Sequence, residues 1–425
     1  MGLNAIQLQP SLLTRVNLSV YSGLWDSSQD SIGKPNEILV YGENNEYPEV
    51  IDRLISNSST AKCVRDVMAK FIHGLGFENE ALNDIITGQN QFNDDINLVE
   101  LDRSISSDLA SYNGFYCFIS RSINFQVSKS EKMKFGAIRL GKTDDNGRIS
   151  YAVLRQKRYQ KLDFLRAYSL FSESKETISE RIEKLKASKK AYQGEFFVGY
   201  FDMANIYPIS PFHATQYDMD SESLISVHRN TELANGMSPK TIITVAEASE
   251  YDERTDKEGN TIKTPIEGGI AGAVKEFVGT SGAKVMVLST KVNEETGKID
   301  QDGSFIATNI ASNIDSETYD QWEKAFENHI RRQACNMPSI LFEYETGKLG
   351  GGTKAEDIMT AIEFYNSQVN DYQEFKAKCY RKMFKNSIND ILKSEAAKKD
   401  GFKIKNINYD SFIRTTTSNT SNQSK

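Results

Sequence analysis

Apolar residues recur at helical spacing through much of this chain, and the clearest case lies late. Tyr319, Trp322, Phe326 and Ile330 fall three and four apart, which predicts an amphipathic helix starting near Asp315. Asp315 and Ser316 supply N-cap chemistry, and Glu317 places an acid in the first turn. The helix must stop by Pro338, which has no N–H and biases the residue before it away from helix. A second stripe (Ile358, Ile362, Tyr365, Val369, Tyr372, Phe375, Cys379 and Met383) predicts one long helix over 355–395. At a rise of about 1.5 Å per residue it would approach roughly 60 Å. Between the two lies Glu345 to Lys354, with four glycines that regular structure does not hold cheaply. Helix–helix connections usually take about 2–8 residues, so this longer loop is expected to serve a purpose.

Earlier, Val50, Ile51, Leu54 and Ile55 predict one helix. Val64, Val67, Met68 and Phe71 predict a second, capped by Ser58-Ser59-Thr60 and stopped by Gly74 and Gly76. Leu98, Leu101, Ile105 and Leu109 predict a helix over 97–112, ended by Gly114. The run from Phe115 to Ile119 reads as a buried strand, with further strands near 135–140, 150–155 and 196–202. Thr177 to Lys190 reads as a charged helix with a solvated face. Residues 1–40 show no sustained period and read as an N-terminal arm, and 41–218 as an α+β domain. Asp218 to Asn235 predicts another helix, with Asp220 as candidate N-cap and Leu224, Ile225, His228 and Leu233 along it. Asn235-Gly236 is its stop signal.

The pattern then changes. Strands are expected at 241–245, 285–288 and 305–308, with turns at 258–260 and 294–297 and a glycine-weakened helix at 266–278. Residues 240–315 therefore read as a small α/β module inserted between helices at 219–239 and 316–336, so its ends should lie close in space. After the long helix, 396–425 is a short terminal segment. It holds a possible strand at 403–407 and a tail, Thr415 to Lys425, without any apolar residue and so expected to be disordered.

Composition narrows the classes. The 425 residues are 39% hydrophobic and 26% charged, enough for a sizeable core. No run reaches the roughly eighteen apolar residues of a membrane span. The first residues lack a basic-then-apolar leader pattern and fit a myristoylation signal poorly. Cys63, Cys117, Cys335 and Cys379 are scattered, as are His73, His213, His228 and His329, so neither zinc nor redox motifs arise. A net charge of −7 argues against a protein that grips and reads DNA.

Two glycine motifs invite nucleotide chemistry. Gly136 to Thr143 matches G-x-x-x-x-G-K-[ST], with Lys142 as the phosphate lysine of a P-loop enzyme. That chemistry needs a loop of free N–H groups opening into a helix, yet the intervening residues read as a strand and Asp144-Asp145-Asn146-Gly147 as a hairpin turn. Gly268-Gly269-Ile270-Ala271-Gly272 lacks the third glycine of a dinucleotide site. No catalytic constellation, metal site or cofactor site is expected. Lys348 and Lys354 flank Leu349 and Gly350, Gly351 and Gly352. They read either as mobile charges facing a polyanion or as solvated lysines at a surface, alternatives that residue types alone leave open. An interaction scaffold using this loop is a further alternative.

Four segments in order carry a family resemblance. They are Asn45 to Pro48 with Ile55 to Cys63 and Phe71 to Phe77; Ile225 to Pro239; Gly279 to Leu288; and Met337 to Phe342 with Gly347 to Gly351. Over about 40–395 the chain resembles the portal proteins of tailed bacteriophages, especially those of phages and prophages of Bacteroides-like hosts. The insertion at 172–192 has no counterpart, and the segment after the long helix is short. The resemblance implies a wing domain at 41–218, stem helices at 219–239 and 316–336, a clip at 240–315, a tunnel loop at 337–354 and the long helix at 355–395. It also implies a non-enzymatic ring, typically of twelve subunits, at one capsid vertex of the virion, made in the host cytoplasm. Double-stranded DNA would pass through it during packaging and ejection. The terminase large subunit, the major capsid protein and a head–tail adaptor would be its partners. Lys348, Leu349, Gly350, Gly351, Gly352 and Lys354 would face the channel.

Overall fold

The computed structural model describes residues 38–90, 92–122, 124–143, 147–158, 161–174, 177–180, 182–183, 194–202, 205–234, 240–246, 251–255, 261–265, 285–290, 305–310, 316–341 and 355–411. Helices and sheets are mixed, and the chain divides into two units. One is Met1–Met219 with Glu327–Lys425, and the other is Asp220–Phe326.

The first unit opens with α1 (Tyr47–Asn57) and α2 (Ser59–His73), where the two stripes place them. Ser58 separates them: its backbone is extended and its Oγ accepts the Ala61 N–H at 2.9 Å. Gly74 ends α2 at a φ of 65°, and a Cβ there would lie 2.5 Å from the Lys405 carbonyl oxygen. A small hairpin follows, β1 (Ile86–Gln89) with β2 (Asp95–Asn97). Next, α3 (Leu98–Tyr112) starts in a reciprocal cap: Asn97 accepts the Glu100 N–H and Glu100 accepts the Asn97 N–H. It ends on Asn113 in left-handed backbone, not on Gly114, which already begins the next strand.

That strand is β3 (Gly114–Arg121), followed by β4 (Val127–Lys132), β5 (Ile138–Leu140), β6 (Tyr151–Arg158), β7 (Lys161–Leu170) and β8 (Glu195–Tyr200). They form one sheet in the order β4-β3-β8-β7-β6-β5. All neighbours are antiparallel except β7 and β8. The sequence pattern points to β3, β5, β6 and β8 but not to β4 or β7. β4 is a polar edge strand, and β7 carries Lys161, Asp163 and Arg166 between its apolar residues. Of the charged helix expected over 177–190, residues 177–180 and 182–183 are helical and the remainder lies outside the described residues.

Late in the chain, α6 (Ala355–Phe384) buries Ile358, Ile362, Tyr365, Val369, Tyr372, Cys379 and Met383 as the stripe requires. It spans about 45 Å, not the expected 60, because the chain turns to pair with β4. The Val127 N–H donates to Asn386 O at 2.7 Å, and the Ile388 N–H to Val127 O at 3.0 Å. Asn389 then caps a separate helix, α7 (Asp390–Ala397). The strand expected at 403–407 is reduced to one bridge, Ile404 to Phe77. Backbone bonds join Leu75 to Lys405 and Glu78 to Lys403, but positive φ at Gly74 and Gly76 keeps their side of the pairing irregular.

Two helices carry the unit boundaries within their length: α4 (Gln216–Ala234) and α5 (Ser316–Gln333). α4 begins before the expected N-cap Asp220, because a 3-10 turn at Pro211–Thr215 leads straight into it. Inside the second unit they face each other: Arg229 pairs with Glu323 at 2.7 Å, and its guanidinium lies 5.6 Å from the Tyr319 ring. Trp322 does not complete a buried face as its spacing predicts; it is 43% exposed. The strands of this unit are β9 (Lys240–Ala246), β10 (Tyr251–Thr255), β11 (Thr261–Pro265), β12 (Val285–Thr290) and β13 (Phe305–Ile310). β9 is central, parallel to β12 and antiparallel to β13, and β10 pairs with β11; the turn expected at 258–260 lies outside the described residues. The helix expected at 266–278 and the turn at 294–297 lie outside the described residues.

Candidate functional site

The expected channel residues Lys348, Leu349, Gly350, Gly351, Gly352 and Lys354 lie outside the described residues. The structure gives what holds each side of segment 342–354. α5 stops at Gln333, before Pro338, because Cys335 and Asn336 adopt left-handed backbone. The Arg331 guanidinium locks this exit, donating to Met337 O at 3.1 Å and to Glu327 at 2.8 Å. Met337 and Leu341 are buried, and the Tyr365 hydroxyl donates to Ala334 O at 3.0 Å. On the other side, Ile358, Ala361 and Ile362 seat the first turns of α6. Both flanks of the segment therefore rest in the packed core of the first unit.

Sequence reasoning missed a buried ionic cluster that ties α6 to α2 and α3. Lys376 and Asp102 both have fully buried side chains and meet at 2.8 Å. Lys376 Nζ also donates to Ile72 O at 2.9 Å and to Ser106 Oγ at 2.8 Å, which uses all three of its protons. Asp102 accepts in addition from the Tyr380 hydroxyl at 2.8 Å, and His73 Nδ1 lies 2.6 Å from it. Burial pushes the Asp102 carboxyl up, but Lys376 and His73 outweigh it and hold it below the ordinary range. Burial lowers the Lys376 ammonium against the pull of Asp102. All three Lys376 protons and both Asp102 oxygens are engaged, so the cluster acts as a clamp between α2, α3 and α6. No periodic signal could have found it, because Lys376 and Asp102 sit among apolar positions as lone charges.

A second buried carboxylate is less well matched. Asp108 Oδ1 meets Lys132 Nζ at 2.9 Å, while Oδ2 is buried without a hydrogen-bond partner. Burial pushes this carboxyl up to about 6 despite Lys132. The cysteines are free, and burial raises the Cys117 and Cys379 thiols, the latter to about 12. They are poor nucleophiles.

The phosphate-loop motif is a strand. Gly136 lies in a 3-10 turn, β5 follows, and Gly141 bridges to Ile38. The N–H groups a phosphate would need are spent: Leu140 donates to the Tyr207 hydroxyl at 2.8 Å and Gly141 to Tyr151 O at 2.9 Å. Arg139, at a variable position of the motif, is fully buried and donates to Asn45 Oδ1 at 2.6 Å and to Gly136 O at 2.8 Å. The segment is part of the core, and the nucleotide alternative loses its geometric basis. Among the described residues, no group of three or more His, Cys, Asp or Glu side chains is placed to hold a metal, and no helix is long and apolar enough to cross a membrane.

No family model and no curated protein matches this chain. Among solved structures it is similar to the neck of a native gene transfer agent particle computed with C12 symmetry, at 13% identity and a TM-score of 0.42 over 80% of this chain and 81% of that one. It is similar to the neck of an empty gene transfer agent particle computed with C6 symmetry, at 10% identity and a TM-score of 0.43 over the same shares. An HK97-family phage portal protein from Corynebacterium diphtheriae aligns at 8% identity and a TM-score of 0.32, over 73% of this chain and 88% of that one.

Proposed function

We propose that this chain is a bacteriophage portal protein: a ring at one capsid vertex through which double-stranded DNA enters and leaves. The observation that carries this reading is the order of elements. A strand-rich unit is carried on two helices that face each other, and it interrupts a larger mixed unit, just before a glycine-rich segment and a long helix. That is the order the resemblance to portal proteins predicts. In this reading the second unit is the clip that docks the terminase large subunit and later the head–tail adaptor. α4 and α5 are the stem, and Lys348, Leu349, Gly350, Gly351, Gly352 and Lys354 form the tunnel loop. The ring has typically twelve subunits and sits in the virion beside the major capsid protein. Catalysis is left to the motor.

The net charge of −7 fits passage better than grip. Tight neutralisation of many phosphates would hold DNA in place, with an affinity that rises with each contact. A few lysines in the tunnel loop give weak, sequence-blind contact instead. The first test is the mass of the purified protein in solution with electron-microscope images of large species. Rings with a central hole and near-twelvefold symmetry are expected; a protein that stays monomeric at all concentrations and in the presence of capsid protein counts against the reading. At the loop, Gly351→Pro should impair DNA packaging while leaving the ring intact, and normal packaging by that variant would remove the role proposed for these glycines.

A further inference from the structure

Asp102 and Asp108 lie on the same helix, α3, and both are buried, yet only Asp102 is built to stay charged. Lys376, His73 and the Tyr380 hydroxyl engage both Asp102 oxygens. Asp108 is 6% exposed, and among the described residues one cation reaches it: Lys132 Nζ meets Oδ1 at 2.9 Å, while Oδ2 is buried without a hydrogen-bond partner. A buried carboxylate oxygen with no donor carries its full desolvation cost as an anion and far less as a neutral acid.

The other groups facing Asp108 do not repair this. From α1, Asp52 adds a like charge, itself held by the Tyr112 hydroxyl of α3 at 2.5 Å. From α2, Arg65 pulls the other way, but its guanidinium is turned to Asp66 at 2.8 Å and to Ser111 Oγ at 3.5 Å. From β3, the buried Cys117 thiol is pushed up by burial and brings no charge. Lys132 is the last residue of β4, and its side chain is 27% exposed, so water is within its reach once the carboxylate is neutralised. β4 is fixed independently, by its ladder with β3 and by the bonds of Val127 to Asn386 and Ile388. Loss of the ion pair therefore moves a side chain and leaves the strand in place.

We propose that Asp108 and Lys132 form a proton-operated latch between α3 and β4: closed as an ion pair at neutral pH, and opened in mild acid when the carboxyl takes a proton from solvent and Lys132 turns outward. The freed ammonium joins the exposed Lys129 and Lys134, so this edge of the sheet gains positive charge as pH falls. The latch lies within one subunit and works with or without a ring.

Competitive acetylation of the full chain tests this. Trace acetic anhydride is applied between roughly pH 5 and 8, and peptide mass spectrometry gives the labelling of Lys132 relative to the exposed Lys378. In wild type this ratio should rise about fivefold as pH falls, since a partly exposed ion pair protects by about that factor. Its midpoint should lie at about 6. In Asp108→Asn, with folding checked by circular dichroism, the ratio should be high at every pH. Wild-type crystals grown at about pH 5 and about pH 8 give a second reading that needs no variant: Lys132 Nζ should sit within hydrogen-bond distance of Asp108 only in the latter. A wild-type ratio that stays flat or falls in acid, an equal rise in folded Asp108→Asn, or an ion pair intact in the acid crystals overturns the latch.

Discussion

Asp102 and Lys376 are a fully buried ion pair, and taking two charges out of water is costly. Losing one partner leaves the other stranded, so Lys376→Met should destabilise the first unit by about 3–5 kcal/mol. The double change Lys376→Met with Asp102→Asn should cost clearly less than the sum of the two single changes; denaturant titration of all four proteins gives the coupling. Asp108 makes the opposite kind of prediction. Its folded carboxyl titrates at about 6, above the unfolded value, so the native state binds the extra proton between roughly pH 4 and 6. Its contribution to stability is therefore greatest in acid and is lost as pH rises through 6. Relative to Asp108→Asn, wild type should lose on the order of 3 kcal/mol between pH 4 and pH 7, measured by urea unfolding at each pH. Neither carboxylate is legible in the sequence. Asp102, Asp108 and Lys376 lie on helix faces that periodicity marks as core, and only packing shows that each brings a partner from another element.

At the level of elements, the stripes of α1, α2, α3 and α6 are readable because one face of each is buried against one neighbour layer. Boundaries are harder, since they depend on backbone chemistry. Ser58 and Gly74 announce themselves, whereas Asn113, Cys335 and Asn336 stop helices through left-handed backbone that their residue types permit without requiring. The break after Phe384 has no local cause; it follows from pairing of Asn386 and Ile388 with Val127, far away in sequence. Gly74 is where local and distant demands coincide. Gly74→Ala should cost about 2–3 kcal/mol, combining an unfavourable positive φ with a clash against the Lys405 carbonyl. Faster amide exchange at Leu75 and Lys405 would show that the loss falls at this junction. Ser58→Ala removes only the cap and should cost about 1 kcal/mol by the same unfolding measurement.

For the whole molecule, the sequence pattern changes after Pro239, and the chain divides into a larger unit interrupted by a smaller one, Asp220–Phe326. The channel role proposed for Lys348, Leu349, Gly350, Gly351, Gly352 and Lys354 rests on resemblance, and the structure describes only the flanks of this segment. Asp218 and His329, both in the first unit, lie 3.3 Å apart where the chain leaves for the second unit and returns. Joining Met219 to Glu327 through a short Gly-Ser linker should therefore leave a cooperatively unfolding first unit, and a variant that unfolds without cooperativity would show that this unit depends on the other.

The junction of residues 75–78 with 403–405 also sets an order on synthesis. The backbone of Leu75 and Glu78 waits for carbonyls that the ribosome supplies more than three hundred residues later. The intervening second unit has emerged in full by then and is free to fold first, as domains do during translation. The larger unit must meanwhile hold its early helices and sheet without α6, the element that buries Asp102. A nascent chain stalled before residue 376 would thus carry that carboxylate without its lysine, and chaperones would meet a half-finished core until α6 has been made.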